Sequence, residues 1–286
     1  MSLDRPATAS PRTKGPLPNF FIIGAPKAGT TSLSEYLSEH PQAFVAPQKE
    51  VYFFSRFWDN GVDWYREQFR KAGDARAVGE ATPTYMYRDD ALTRMAELVP
   101  EAKLVVILRD PVDRLYSDYW YLLPLGEKRT FEEVVRQEMA DGTTKLQRVG
   151  YLDAGRYVRN LRRVCEYFPR SSLLVLLTDD LRTDPEETYA TLCRHLGIDP
   201  AFVPREVGRA KNQAYRLRWP ALRTFMWRNR MGKRMPRLSK RLEAINRKAI
   251  RYPKMDPALR AELKAWYAAD NAELAAWLGR DLSSWS

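Results

Sequence analysis

The chain has 286 residues, 44% of them hydrophobic and 29% charged, which suffices for one substantial core in a single domain. No run approaches the roughly 18 consecutive apolar residues that cross a bilayer, and Met1 to Pro18 lacks the apolar core of a secretory signal, so a soluble chain is expected. Cys165 and Cys193 are too few for a disulfide framework and form no Cys-x-x-Cys metal or redox pattern, so a reducing, cytoplasmic compartment is expected.

Residues 1–18 are rich in Pro, Ser, Thr and charge without apolar periodicity, which predicts a mobile tail and a single folded domain over 19–286. Phe20-Phe21-Ile22-Ile23 is wholly apolar and ends at Gly24, as expected of a strand buried on both faces of a parallel sheet. Thr31 to Glu39 reads as a helix, with Leu33 and Leu37 four apart and Pro41 beyond its end. The pattern recurs at Leu104 to Leu108, followed by Arg109-Asp110 and by Pro111 at a first helical position. Leu173 to Leu177 is a third apolar strand, between helical stretches from about Gly155 to Tyr167 and from about Pro185 to Leu196. This alternation predicts a three-layer, P-loop-like α/β fold with a central, mostly parallel sheet flanked by helices. Ligands of such sheets bind beyond the carboxyl ends of the strands, so both early strand-to-helix junctions are expected to face one site.

The net charge of +11 is uneven: thirteen basic residues lie between Arg216 and Arg251, where Glu243 is the one acidic residue. Such a block reads as a solvated basic face or as an attractor for an anionic partner. Trp219, Phe225 and Trp227 interleave it, suited to core packing, to base stacking or to an interface.

Gly24-Ala25-Pro26-Lys27-Ala28-Gly29-Thr30-Thr31 follows the nucleotide-triphosphate loop G-x-x-x-x-G-K-[ST], except that Thr30 stands where that motif has lysine. Backbone N–H groups and the following helix N-terminus still suit phosphate, and Thr30, Thr31 and Ser32 add hydroxyls. The lysine is instead mid-loop, at Lys27, where it can meet the bridging oxygen of a leaving group.

This stretch resembles the 5′-phosphosulfate loop, Pro-Lys-x-Gly-Thr-[Thr/Ser], of the sulfotransferases that use 3′-phosphoadenosine 5′-phosphosulfate (PAPS). In that family a strand leading into Arg-Asp-Pro and a helix with a serine binds the donor's 3′-phosphate; Leu108-Arg109-Asp110-Pro111-Val112-Asp113-Arg114-Leu115-Tyr116-Ser117 is similar. The resemblance runs from about Asn19 to Trp285. Lys49-Glu50-Val51-Tyr52-Phe53-Phe54, Gly79-Glu80-Ala81-Thr82-Pro83-Thr84-Tyr85, Tyr151 to Tyr157 and Leu278 to Trp285 are similar to elements of the heparan-sulfate and related bacterial branch. Ala81 departs from it, standing where the branch has lysine.

The resemblance implies PAPS as co-substrate and PAP as product. Donor contacts come from Lys27, Ala28, Gly29, Thr30, Thr31, Ser32, Arg109 and Ser117, with Arg209, Lys211 and Asn212 as a late basic loop over the 3′-phosphate. In-line transfer to an alcohol needs a base for the acceptor proton and positive charge on the departing phosphate. His40 and His195, the only histidines, read as structural. The resemblance places a carboxylate at the base position: Glu50 is the candidate, against the alternative of a surface glutamate paired with Lys49. Lys27 would stabilise the leaving oxygen, and Glu80 would orient groups around it or bind the acceptor. No metal is implied. The expected partners are PAPS and an acceptor such as a glycan, lipid or secondary metabolite, anionic or membrane-associated if the basic helical segment 216–251 is an acceptor-side lid; no nucleic acid is expected. The competing readings are a P-loop kinase or NTPase, which would need the missing lysine, and a nucleic-acid or membrane-surface binding protein led by the basic block.

Overall fold

The computed structural model describes residues 14–141, 150–208, 215–219, 222, 225–226, 235–249 and 252–285. Five strands make one parallel sheet in the order β2-β3-β1-β4-β5: β1 (Phe20–Gly24), β2 (Ala43–Val45), β3 (Ala77–Ala81), β4 (Lys103–Leu108) and β5 (Leu173–Leu177). β1 is buried along its whole length because it lies mid-sheet, between β3 and β4. Its continuous apolar run is what burial of both faces requires.

The connections set where the loops emerge. The chain leaves β1 through α1 (Thr30–Glu39) toward the β2 edge, and leaves β4 toward β5 on the other side. Adjacent strands whose connections depart in opposite directions open a crevice at their carboxyl ends, so the β1/β4 boundary is the place for a ligand.

The three apolar strands lie where the sequence places them. β2 and β3 escape pattern reading for physical reasons: β2 has three half-buried edge residues, and β3 reads Ala-Val-Gly-Glu-Ala, with a buried carboxylate inside a buried strand. The short helices α2 (Phe53–Arg56), α3 (Gly61–Glu67) and α4 (Asp89–Leu98) carry the chain between and beyond them. α5 (Pro111–Leu122) begins at its proline, with Asp110 accepting from the N–H groups of Val112 and Asp113 at 2.8 and 2.9 Å. α6 (Phe131–Asp141) follows, and α7 (Tyr157–Tyr167) starts two residues later than expected because 153–155 form a tighter turn. Beyond β5 come α8 (Thr178–Thr183) and α9 (Pro185–Leu196); α9 is capped by Asp184 and closed by Gly197 at φ 75°.

Further along, β6 (Tyr215–Leu217) pairs antiparallel with β7 (Arg247–Ala249), which follows α10 (Pro236–Asn246). The long C-terminal α11 (Pro257–Leu278) packs on α5 and α7. With Val112 and Leu115 of α5, its Leu259, Leu263 and Tyr267 form a second small core that fixes α5 against the sheet domain.

Within the expected tail over 1–18, residues Lys14, Gly15 and Leu17 make contacts with the rest of the chain. Lys14 pairs with Asp63 at 2.6 Å, Arg66 Nε donates to the Gly15 carbonyl at 2.7 Å, and Leu17 packs on the core. Charge and proline content hid these long-range contacts.

At Gly79, opposite Phe20 in register, a Cβ would lie 2.3 Å from the Phe20 carbonyl oxygen. Gly79→Ala is therefore expected to lower unfolding free energy by about 1–3 kcal/mol, as overpacking of a rigid core does. A urea midpoint equal to that of the parent chain would overturn this.

Candidate active site

The carboxyl end of β1 turns through residues 25–29 into α1. Gly29, at φ 116°, is the N-cap and offers no side chain, so the first N–H groups of α1 have no side-chain acceptor. Orphan donors at the positive end of a helix favour an anion. Thr30 and Ser32 are buried in the first turn, and Thr31 accepts from Lys49 Nζ at 2.5 Å.

The loop is tied to its neighbours rather than free to adapt. Ala25 N donates to the Ile107 carbonyl at 2.9 Å, joining it to β4. Thr178, the first residue after β5, donates its hydroxyl to the carbonyls of Ala28 and Leu108. One side chain thus holds both strand-to-helix junctions together.

Arg109 follows β4. Its guanidinium lies 3.5 Å from Asp113, a carboxylate already engaged by Arg260 at 2.7 Å, while its buried Nε has no hydrogen-bond partner. An unsatisfied buried cationic donor beside a phosphate-type loop suits an anionic ligand. Asp110 is the helix cap, not the partner of Arg109. Ser117 lies on α5 two turns in, half-buried, directly before Asp118.

Residues 49–52 supply the third wall. Glu50 accepts from the Tyr52 hydroxyl, and Lys49 reaches Thr31, so the two do not form the surface pair that was the alternative. Glu80 underlies this wall. It is 1% exposed and accepts from Tyr65 and Thr82 at 2.6 Å, and from Tyr85 and the Val51 N–H at 3.3 Å. Burial raises its pKa, while the hydrogen bonds from Thr82, Tyr65, Val51 and Tyr85 work against that shift. Of the two roles read for Glu80, orienting its surroundings or binding the acceptor, its geometry suits the first: the carboxylate is sealed from solvent and positions the backbone on which Glu50 and Tyr52 sit.

The loop strain converges here. Lys27 at φ 71°, Glu50 at 59° and Tyr52 at 55° are the non-glycine residues with left-handed backbone among those described. Such conformations persist where the surroundings over-determine them, commonly at functional sites.

Lys27 is the electrostatic centre. Burial holds its pKa below the ordinary lysine value; Asp118 opposes this, Lys49 and Arg109 push the same way, and Glu50 opposes again. Its ammonium sits 4.3 Å from the centroid of the Tyr121 ring. Asp118 is itself buried and lies 3.5 Å from the fully buried Arg114.

Residues 17–275 match the family model described as "Sulfotransferase domain". The chain belongs to the PAPS-dependent sulfotransferase family of enzymes. It is 31% identical over 285 residues to the bifunctional heparan sulfate N-deacetylase/N-sulfotransferase 3 of Mus musculus, an alignment covering 94% of this chain and 31% of that protein. It is 32% identical over 186 residues to the heparan sulfate glucosamine 3-O-sulfotransferase 3B1 of Homo sapiens, covering 64% and 46%. The chain therefore spans less than half the length of these curated relatives. A crystal structure of a sulfotransferase from Alicyclobacillus acidocaldarius superposes with a TM-score of 0.70 at 29% identity, covering 94% of this chain and 99% of that one.

Within this sulfotransferase, Lys27, Thr31, Glu50 and Arg109 are brought into one neighbourhood, with Ala28, Gly29, Thr30 and Ser32 in the loop and first turn between them. Arg209, Lys211 and Asn212 lie outside the described residues. Ala81 is buried at the end of β3 and brings no cation. His40 is away from the loop at the far end of α1, accepting from Gln42 N and facing the Asp199 carbonyl at 2.9 Å; His195 is half-buried in α9. The residues that pattern reading missed are Lys49, Asp118, Tyr121 and Thr178. Thr178 was accessible from its place immediately after a predicted parallel strand; the others need tertiary contacts to be seen.

A carboxyl with a raised folded-state pKa holds its proton more tightly in the folded chain. Its contribution to stability is thus present at low pH and is lost as pH rises from about 4.5, the ordinary value, through the folded one. Glu80→Gln is expected to remove this part of the pH dependence, flattening the slope of unfolding free energy over that window. An unchanged slope in denaturant titrations at several pH values would show that Glu80 does not titrate there.

Proposed function

We propose that this sulfotransferase moves a sulfuryl group from PAPS to a hydroxyl or amine of its acceptor, releasing PAP. The bond between sulfur and the bridging phosphate oxygen breaks, a bond from sulfur to the acceptor oxygen or nitrogen forms, and the acceptor proton passes to a base. The observation that carries the reading is the placing of a half-buried lysine, Lys27, within the field of two carboxylates, Asp118 and Glu50, beside an uncapped helix N-terminus. The α1 N-terminus with Thr30 and Thr31 suits the 5′-phosphosulfate, and Arg109 with Ser117 suits the 3′-phosphate, where the unpaired Nε of Arg109 would gain a partner. Arg209, Lys211 and Asn212 are assigned to the same phosphate by sequence.

Lys27 meets the charge that develops on the leaving phosphate, and Glu50 takes the acceptor proton. Tyr52 holds Glu50 in place through its hydroxyl. Lys49 supplies a second cation near the loop, on the side where the family lysine is replaced by Ala81. The exposed ring of Tyr121 beside Lys27 suits contact with the acceptor. The heparan sulfate named in the curated relatives supports a glycan acceptor without fixing one.

The test is transfer of labelled sulfuryl from PAPS, with nucleotide binding followed by calorimetry. Lys27→Ala is expected to cost roughly 10²–10³ in kcat with the fold intact. Glu50→Gln should cost roughly 10²–10⁴ with PAP affinity preserved, because the amide keeps the shape but takes up no proton. Near-normal turnover in either would remove that residue from the chemistry. The parent enzyme should also lose kcat/KM for the donor on the alkaline side at a pH below that of an ordinary lysine, as Lys27 of the free enzyme gives up its proton.

A separate measurement addresses the 3′-phosphate. Arg109→Ala and Ser117→Ala should weaken binding of PAP more than binding of the nucleotide lacking that phosphate. Equal losses for both ligands would place these residues elsewhere.

A further inference from the structure

The large hydrophobic side chains left on the surface are concentrated in one stretch. Eight are exposed among the described residues, and five of them, Trp219, Phe225, Met235, Leu238 and Ile245, fall between 219 and 245, each 40–58% exposed. The same stretch lies within the basic block, and between 219 and 245 eight Lys and Arg stand against Glu243.

α10 shows how the patch is built. It buries Ser239 and Asn246 and presents Leu238, Arg241 and Ile245 to solvent, three and then four residues apart on one face. A helix on a globular core normally turns its aliphatic stripe inward; this one buries Ser239 and Asn246, only half-buries Leu242 and turns an aliphatic, cationic face outward. The arrangement is held rather than splayed. The Asn246 side chain accepts from Trp219 N at 2.7 Å and donates to the Trp219 carbonyl at 3.0 Å, which keeps the exposed indole beside the end of α10. Among the described residues no helix is long and apolar enough to cross a membrane.

We propose that this face docks the enzyme peripherally on an anionic lipid bilayer. The excess positive charge complements an anionic leaflet, where each basic residue near the surface adds roughly fivefold to binding. Exposed Leu, Ile and Met add little to a nucleic-acid contact made through phosphates and base stacking, but they enter the headgroup and acyl boundary, where Trp is favoured as well. The chain that leaves the patch is pinned to the donor-site helix. Tyr252 stacks on Trp120 at 5.3 Å, and Tyr116 donates its hydroxyl to the Pro253 carbonyl at 2.9 Å. Tyr116 and Trp120 flank Ser117 and Asp118 on α5, so docking holds the site close to the bilayer surface.

The test uses the full chain, without turnover, and so stands apart from the donor assignment. Co-sedimentation is measured with vesicles of phosphatidylcholine alone and with phosphatidylglycerol mixed in. Binding is expected only to the mixed vesicles, weakening with salt because screening acts over about 8 Å at physiological ionic strength. The double substitution Leu238→Glu with Ile245→Glu should weaken it by at least roughly tenfold, and Arg241→Gln alone by roughly fivefold. Both variants change exposed positions and should keep the thermal midpoint; the milder one carries the test if the double variant does not fold. Absence of binding to mixed vesicles at low salt would overturn the proposal. So would equal binding to both vesicle types, or vesicle binding indifferent to both variants. Capture of a DNA duplex or of heparin in place of vesicles would reassign the face to a polyanion and overturn it equally.

Discussion

A carboxylate at the end of a buried strand is the constraint from which the acceptor side of this site follows. Removing an ionised glutamate from water is costly unless donors surround it, and Glu80 collects them from Tyr65, Thr82, Tyr85 and the backbone of Val51. The last of these fixes the path of the chain through residues 50–52. Glu50 and Tyr52 sit there in backbone conformations that most side chains avoid, and the tyrosine hydroxyl points back to the carboxylate of Glu50. The buried carboxylate is a scaffold for the half-buried one.

The donor side is organised by a different economy of contacts. β1 and β4 are neighbours, so the phosphate-type loop and the Arg109 junction emerge side by side, and the Thr178 hydroxyl bonds a carbonyl of each. Positive charge is then gathered in pairs: Lys27 with Lys49 near the loop, Arg109 with Arg260 around Asp113. Like charges at such separations repel, and what relieves them is the buried Asp118, held by Arg114, together with Glu50 and Asp113. A nucleotide with an anionic group at each end would meet the cations on both sides.

The central strands were legible because burial on both faces leaves only apolar residues, and Pro111 and Pro185 marked helix starts. The donor loop was legible because phosphate binding by backbone demands glycine and hydroxyl residues in a fixed order. β3 was hidden by the glutamate that the site depends on, and the two roles read for Glu80, orienting or acceptor-binding, stayed open because sequence does not distinguish a carboxylate aimed at a substrate from one sealed beneath it. Asp118 and Lys49 carried no local pattern. Their meaning comes from which charges surround Lys27, a property of the folded chain.

The pair of hydrogen-bond contacts made by Thr178 bears on how such a site can be exchanged between proteins. A loop transplanted with β1 and α1 alone would arrive without the hydroxyl that fixes its carbonyl to β4, because that hydroxyl belongs to the end of β5. The unit of inheritance for donor recognition is thus three strand ends far apart in sequence. Chimeras that cut between β4 and β5 would split that unit, even where each fragment retains every recognisable motif.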